Sequence, residues 1–262
     1  MINTMPHWKC NVCGYEIETT DAPDPCPSCG SSSEEFYVKG QHPKDRLDGQ
    51  SDLLIINGSK HRAHNSAYFA SLVAEAAKEK GVSYRVIHLA DYKIEPCWCC
   101  YSMKEDKCRL PCCNAFDDMH RLHNLILSAK AVVVVSPINW NGMSVTLKQF
   151  LDRLTCIENM YLVDGSIPLA GRTVGIVVNG HEDGAYKTAF DIFTVFQNLG
   201  FVLAPYGIAY STHGRQYLPE TDHEYFRGDE KTTEFVRNVA HNVIEVSRLD
   251  IGSKMEIRPS CE

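Results

Sequence analysis

The stretch Ala131-Val132-Val133-Val134-Val135-Ser136-Pro137-Ile138-Asn139-Trp140-Asn141-Gly142-Met143-Ser144 decides the fold. A short run of largely β-branched apolar residues, bounded by turn-forming ones, reads as a strand covered on both faces. Residues 143–156 then carry apolar side chains at helical spacing. Outward from there the same alternation recurs. Leu53-Leu54-Ile55-Ile56, Tyr84-Arg85-Val86-Ile87, Val174-Gly175-Ile176-Val177-Val178 and the weaker Phe201-Val202-Leu203 are further strand candidates. The middle three of the five read as buried on both faces. Helical spacing over 65–80, 116–129 and 184–199 separates them, and a last helix is expected over 229–247. Strand and helix alternating in this way predict an α/β fold, a doubly wound five-stranded parallel sheet with helices on both faces.

The remainder of the chain is different in kind. Residues 1–38 are rich in turns and proline and too poor in apolar residues to form a core, so a bound metal must supply stability. Residues 39–51 are polar and read as a linker, which leaves 52–262 as the larger domain. The chain has 262 residues, 44% of them hydrophobic and 23% charged, with a formal net charge of −7. No Lys or Arg run makes a phosphate-binding stripe, which argues against nucleic acid. Neither a signal-peptide pattern nor a membrane-length apolar run is visible, so a soluble, cytoplasmic protein is expected.

Twelve cysteines are present, and their clustering points to metal rather than disulfides in a reducing compartment. Cys10, Cys13, Cys26 and Cys29 form two C-x2-C knuckles twelve residues apart, able to close a tetrahedron around one ion, with Gly14 and Gly30 free to turn backbone N–H groups toward sulfur. The run from Trp8 through Gly14-Tyr15, Cys26-Pro27-Ser28-Cys29 and Phe36 resembles the rubredoxin-like domain of rubrerythrins. That resemblance covers 7–38 and implies iron as a one-electron carrier. A structural zinc ribbon uses the same ligands.

The first strand of the larger domain ends in Asn57-Gly58-Ser59-Lys60-His61-Arg62-Ala63-His64-Asn65-Ser66, a turn that presents N–H and hydroxyl groups to an anion at a helix start. Neither the Walker pattern nor the three-glycine dinucleotide pattern is present. The turn resembles the phosphate loop of flavodoxin-like NAD(P)H-dependent FMN reductases, which implies Ser59, Arg62, Asn65 and Ser66 as FMN phosphate ligands. Ser136-Pro137 through Lys148, Phe150 and Asp152-Arg153 resembles the loop of the same family that lies along the flavin ring, implying Pro137, Ile138, Asn139, Trp140 and Gly142 beside it. The family's aromatic after Pro-x is Asn139 here, with Trp140 next to it. Asn179-Gly180 opens the third expected loop.

Cys97, Cys99, Cys100, Cys108, Cys112 and Cys113 form a cysteine-rich insertion over 97–113, ahead of Asp117-Asp118-Met119. It resembles the iron-sulfur flavoprotein branch of the family, in which this segment holds a [4Fe–4S] cluster. Cys97, Cys100 and Cys113 match that pattern. Met103 stands where the branch has its third cysteine, and Cys108 can substitute, with Cys99 and Cys112 as spares. Cys156 and Cys261 read as ordinary thiols.

Together these resemblances imply an FMN-dependent oxidoreductase passing electrons between a flavin and iron centres, as a homodimer or homotetramer. A one-electron carrier such as ferredoxin, or NAD(P)H, is the expected partner. The rival readings are an electron carrier with no substrate of its own, and a zinc-stabilised NAD(P)H-dependent FMN or quinone reductase with inert extra cysteines. No side chain in the flavin loops is an evident acid or base, so no catalytic residue is assigned.

Overall fold

The computed structural model describes residues 5–10, 15–28, 30, 32–33, 36–38, 51–62, 64–102, 107–112, 117–180, 184–212 and 228–259. At the N-terminus, β1 (His7–Cys10), β2 (Glu16–Glu18) and β3 (Phe36–Val38) form a small antiparallel sheet in the order β2-β1-β3. The larger unit runs β4 (Leu53–Asn57), α1 (Asn65–Glu79), β5 (Tyr84–His88), α2 (Met119–Ser128), β6 (Ala131–Asn139), β7 (Gly142–Met143), α3 (Val145–Asp152), α4 (Thr155–Glu158) and α5 (Met160–Asp164). It continues through β8 (Thr173–Asn179), α6 (Ala185–Asn198), β9 (Val202–Ser211), α7 (Glu230–Ser247) and α8 (Ile251–Lys254).

The main sheet has the order β5-β4-β6-β8-β9, with all neighbours in that row parallel. The two-residue β7 adds an antiparallel pair to the far end of β6. Connections run in opposite directions on either side of the β4–β6 boundary, and open α/β sheets bind ligands at such a reversal, beyond the carboxyl ends of the strands.

Strand burial corrects one expectation. The fully covered strands are β4, β6 over its first six residues, and β8, while Tyr84 and Arg85 of β5 are only half-buried. Position in the sheet explains this, since β5 is an edge strand and β4 lies inside. The weak strand at 201–203 extends to Ser211, past an irregularity opposite Val174 to Ile176. The helix expected over 143–156 divides into α3 and α4 at Arg153, whose N–H is shared between the carbonyls of Gln149 and Phe150, both at 3.2 Å.

Alternating side chains divide the core in two. Leu53, Ile55, Val133 and Val135 pack with α1 and α7, and Cys10, Cys26 and Phe36 of the N-terminal unit join that cluster. Leu54, Ile56, Val132 and Val134 pack on the other face with α2, α3 and α6, together with Cys100, Cys108 and Cys156. The two cysteine-bearing regions therefore lie on opposite faces of the sheet. No helix among the described residues is long and apolar enough to cross a membrane.

Candidate functional site

The turn after β4 is held from within and from two sides. Asn57 is fully buried, and its Oδ1 accepts the N–H of Ser59 at 2.9 Å while its Nδ2 lies 2.9 Å from Nδ1 of His88 on the edge strand. Ser59 is buried, and its Oγ accepts the N–H of His61 at 3.1 Å. Arg62 forms an ion pair with Asp91 just beyond β5. Asn65 and Ser66 are buried at the start of α1, and Ser66 Oγ donates to Oδ1 of Asn179 at 2.9 Å, joining the first loop to the third.

Ser144 connects the first loop to the second. Its hydroxyl donates to the Gly58 carbonyl at 2.5 Å and accepts the N–H of Leu147 at 3.1 Å, so one side chain caps α3 and fixes the turn after β4. Gly58 is required by this approach, because a Cβ there would lie 2.9 Å from Leu147 Cβ. Gly180 meets Ile138 in the same way, at 2.9 Å. The loop after β6 is a two-residue hairpin. Trp140 and Asn141 take φ of 50° and 59°, and Asn139 pairs with Gly142. At its tip Trp140 is 95% exposed, and Asn139 is exposed beside it. Ile138, Pro137 and Gly142 are half-buried. Asn179 and Gly180 begin the third loop, whose His181, Glu182 and Asp183 lie outside the described residues.

Beyond these loops, the described part of the cysteine-rich segment forms a single 3-10 turn, Cys100–Ser102, and a buried ion pair secures it. Arg153, at the end of α3, and Asp117 have side chains 1% and 0% exposed. Arg153 Nη1 donates to Asp117 Oδ2 at 2.5 Å and to the Glu95 carbonyl at 3.0 Å, and its Nε donates to Cys112 Sγ at 3.4 Å. Asp117 also accepts the N–H groups of Glu95 and Met119, at 2.8 and 3.1 Å. Burial alone would raise the Asp117 carboxyl, but these hydrogen bonds, that from Arg153 foremost, outweigh it and hold it below its ordinary value.

The thiols gather around a cavity of about 450 Å³ lined by Cys97, Cys99, Cys100 and Cys108, with Lys148 and Asp152 of α3 on its other side. Cys99 has φ of 51°, and its N–H donates to Cys97 Sγ at 3.4 Å, the N–H to sulfur contact of a metal knuckle, while its own side chain is exposed. Burial pushes the Cys97 thiol up, and burial together with the neighbouring Cys100 sulfur pushes Cys108 up to about 12. Among the described residues no three His, Cys, Asp or Glu side chains already form an ion cage. Cys113 lies outside the described residues, as do Cys13 and Cys29 of the N-terminal set. Cys10 and Cys26 are buried, and the N–H of Gly30 (φ 77°) returns to the Cys26 carbonyl at 2.8 Å.

Sequence reading did not single out Asn57, Ser144, Asp117 or Arg153, and took Cys156 for an ordinary thiol. Cys156 is buried, 3.5 Å from His123 Nε2 and hydrogen-bonded with Cys112. A helix-capping Ser three residues before Leu147 was a readable signal. The Arg–Asp pair and the Cys112–Cys156 contact join residues far apart in sequence, and nothing local announces them.

The doubly wound sheet, with its three loops meeting where the strand order reverses, is the flavodoxin-like fold, here in a flavin-dependent oxidoreductase. Residues 51–216 match the family model for NADPH-dependent FMN reductase, and the chain belongs to that family. Residues 8–37 match the rubredoxin-like domain of rubrerythrin. The chain is 31% identical over 157 residues to an iron-sulfur flavoprotein of Archaeoglobus fulgidus, covering 60% of this chain and 72% of that one. An iron-sulfur flavoprotein of Methanocaldococcus jannaschii is 29% identical over 144 residues, covering 55% of this chain and 72% of the relative. The solved structure of RosB with a bound 8-demethyl-8-formylriboflavin-5'-phosphate intermediate superposes with a TM-score of 0.56 at 21% identity, covering 75% of this chain and 79% of that one.

Proposed function

We propose that the loops after β4, β6 and β8 hold FMN, that Cys97, Cys100, Cys108 and Cys113 hold a [4Fe–4S] cluster, and that Cys10, Cys13, Cys26 and Cys29 hold a single iron. The chain would then pass electrons between a two-electron donor such as NAD(P)H and a one-electron carrier such as ferredoxin. One observation carries this reading, the placement of α3. Its cap, Ser144, touches the turn after β4, and its last turn lines the thiol cavity. A helix of eight residues rises about 12 Å. A flavin at one end and thiolate-bound iron at the other are thus neighbours along one rigid element.

The residues fit the groups they would hold. Buried Ser59, Asn65 and Ser66 at the start of α1 supply hydroxyl, amide and backbone donors suited to a phosphate. The hairpin and the Asn179-Gly180 turn would line the flavin ring, with exposed Trp140 at its rim. Cys97 already receives a backbone N–H, and Cys108 lies against Cys100, which supports it as the substitute for the pattern's third cysteine, Met103 here. Bound FMN takes up two electrons at once or one at a time, which lets it join a hydride donor to one-electron iron centres.

The test is the visible spectrum of anaerobically purified protein with iron, sulfide and zinc analysis. Flavin with roughly five irons per chain is expected, one mononuclear and four in the cluster. Cys97→Ser should lower the iron-sulfur absorbance and the iron content together. One zinc and no sulfide would defeat the iron reading. The same reading sets domains at 1–38 and 52–262. A chain cut at about residue 50 should stay folded and yellow, be reduced normally by a chemical two-electron donor, and exchange electrons far more slowly with ferredoxin in stopped flow.

A further inference from the structure

Cys112 is not among the residues that line the thiol cavity. Its sulfur is turned to the protein side, where it accepts the hydrogen bond from Arg153 Nε at 3.4 Å and meets the sulfur of Cys156, brought in by α4. Cys156 is 1% exposed and donates to the Arg153 carbonyl at 3.4 Å, whereas Cys112 is half-buried. One half-buried cysteine beside a guanidinium and one fully buried cysteine against it is the arrangement of an attacking thiol and its resolving partner.

We propose that Cys112 and Cys156 are a redox-active dithiol, distinct from the iron-holding thiols, that reduces peroxide and closes to a disulfide. Cys112 Sγ attacks hydrogen peroxide, forming an S–O bond as the O–O bond breaks, and the thiol proton leaves with the departing oxygen as water. Cys156 Sγ then attacks the oxidised Cys112 sulfur. The S–S bond forms, the S–O bond breaks, and the hydroxyl leaves with the Cys156 proton as a second water. The two sulfurs together give up the two electrons that reduce one peroxide to two waters, and a thiol reductant restores the pair.

The product ties the cysteine-rich segment covalently to α4. The oxidant is consumed beside the thiol cavity rather than in it. Neither FMN nor the cluster enters the step, and the separation of this pair from the iron-holding thiols rests on the cluster assignment proposed above.

The experiment exposes the holoprotein to equimolar hydrogen peroxide, blocks free thiols, digests without reduction and maps linked peptides by mass spectrometry. A peptide joining Cys112 to Cys156 in most chains is expected, lost on treatment with a thiol reductant, with the iron-sulfur absorbance largely kept. Linkage among Cys97, Cys99, Cys100 or Cys108 instead would overturn the proposal, as would irreversible oxidation of Cys112 with Cys156 still free, or no change in either. Because the wild-type map already decides the matter, Cys156→Ala serves as a second reading. It should leave Cys112 trapped as a sulfenic acid detectable with a dimedone-type reagent, and an absence of that adduct in folded protein would count equally against the pair.

Discussion

The two cysteine-bearing regions sit on opposite faces of one sheet and are built in opposite ways. The N-terminal one is built on a small antiparallel sheet, and its Cys10, Cys26 and Phe36 join the core formed by α1 and α7. The described part of the central one contains no strand and is held by Arg153 and Asp117. A ladder of backbone hydrogen bonds distributes its stability over many groups, whereas a buried ion pair concentrates it in two. The central region should therefore fail sharply when one residue is changed, while the N-terminal one should not respond to that change.

Arg153→Met gives the largest expected effect. It leaves the Asp117 carboxylate buried without its cation, at a cost of about 3–5 kcal/mol, visible as a lower denaturation midpoint in urea. Iron bound by the central thiols should be lost while the N-terminal iron remains. Adding Asp117→Leu should recover much of the stability, since an apolar pair removes the stranded charge. Failure of the double variant to recover would mean that the guanidinium contacts to Glu95 and Cys112 matter more than the pair itself. The same anchor can be released by acid. The Asp117 carboxyl is depressed below 3.8, so its contribution is complete above that pH and is lost as the pH falls through the lower folded-state value. Central-segment proton exchange should rise only below that point.

Ser144→Ala is intermediate. It removes a helix cap and the bond to the Gly58 carbonyl, costing about 1–2 kcal/mol, and FMN titration should show weakened binding with the thiol-bound iron retained. Trp140→Ala is the smallest. A side chain 95% exposed contributes within about 0.5 kcal/mol to folding, so the midpoint should barely move. If the indole faces the flavin ring, flavin fluorescence and affinity will change while stability does not.

The alternation of apolar runs and helical spacing determined the parallel sheet, because periodicity is a local property that survives without knowledge of neighbours. The knuckle spacing and the Ser136 to Arg153 stretch likewise carried the family resemblance. Sheet order, by contrast, depends on which strands meet. It made β4 a covered interior strand and left β5 half-buried at an edge, although both read as similar short apolar runs. The assortment of the thiols was decided the same way. In sequence Cys108, Cys99 and Cys112 compete for one place beside Cys97, Cys100 and Cys113, and Cys156 stands alone. Only the packing of α3 and α4 against the cysteine-rich segment brings Cys108 to Cys100 and Cys112 to Cys156. Arg153 holds Cys112 through its sulfur, and Asn159 holds Cys108 by donating to its carbonyl at 2.7 Å, and no spacing rule encodes either contact.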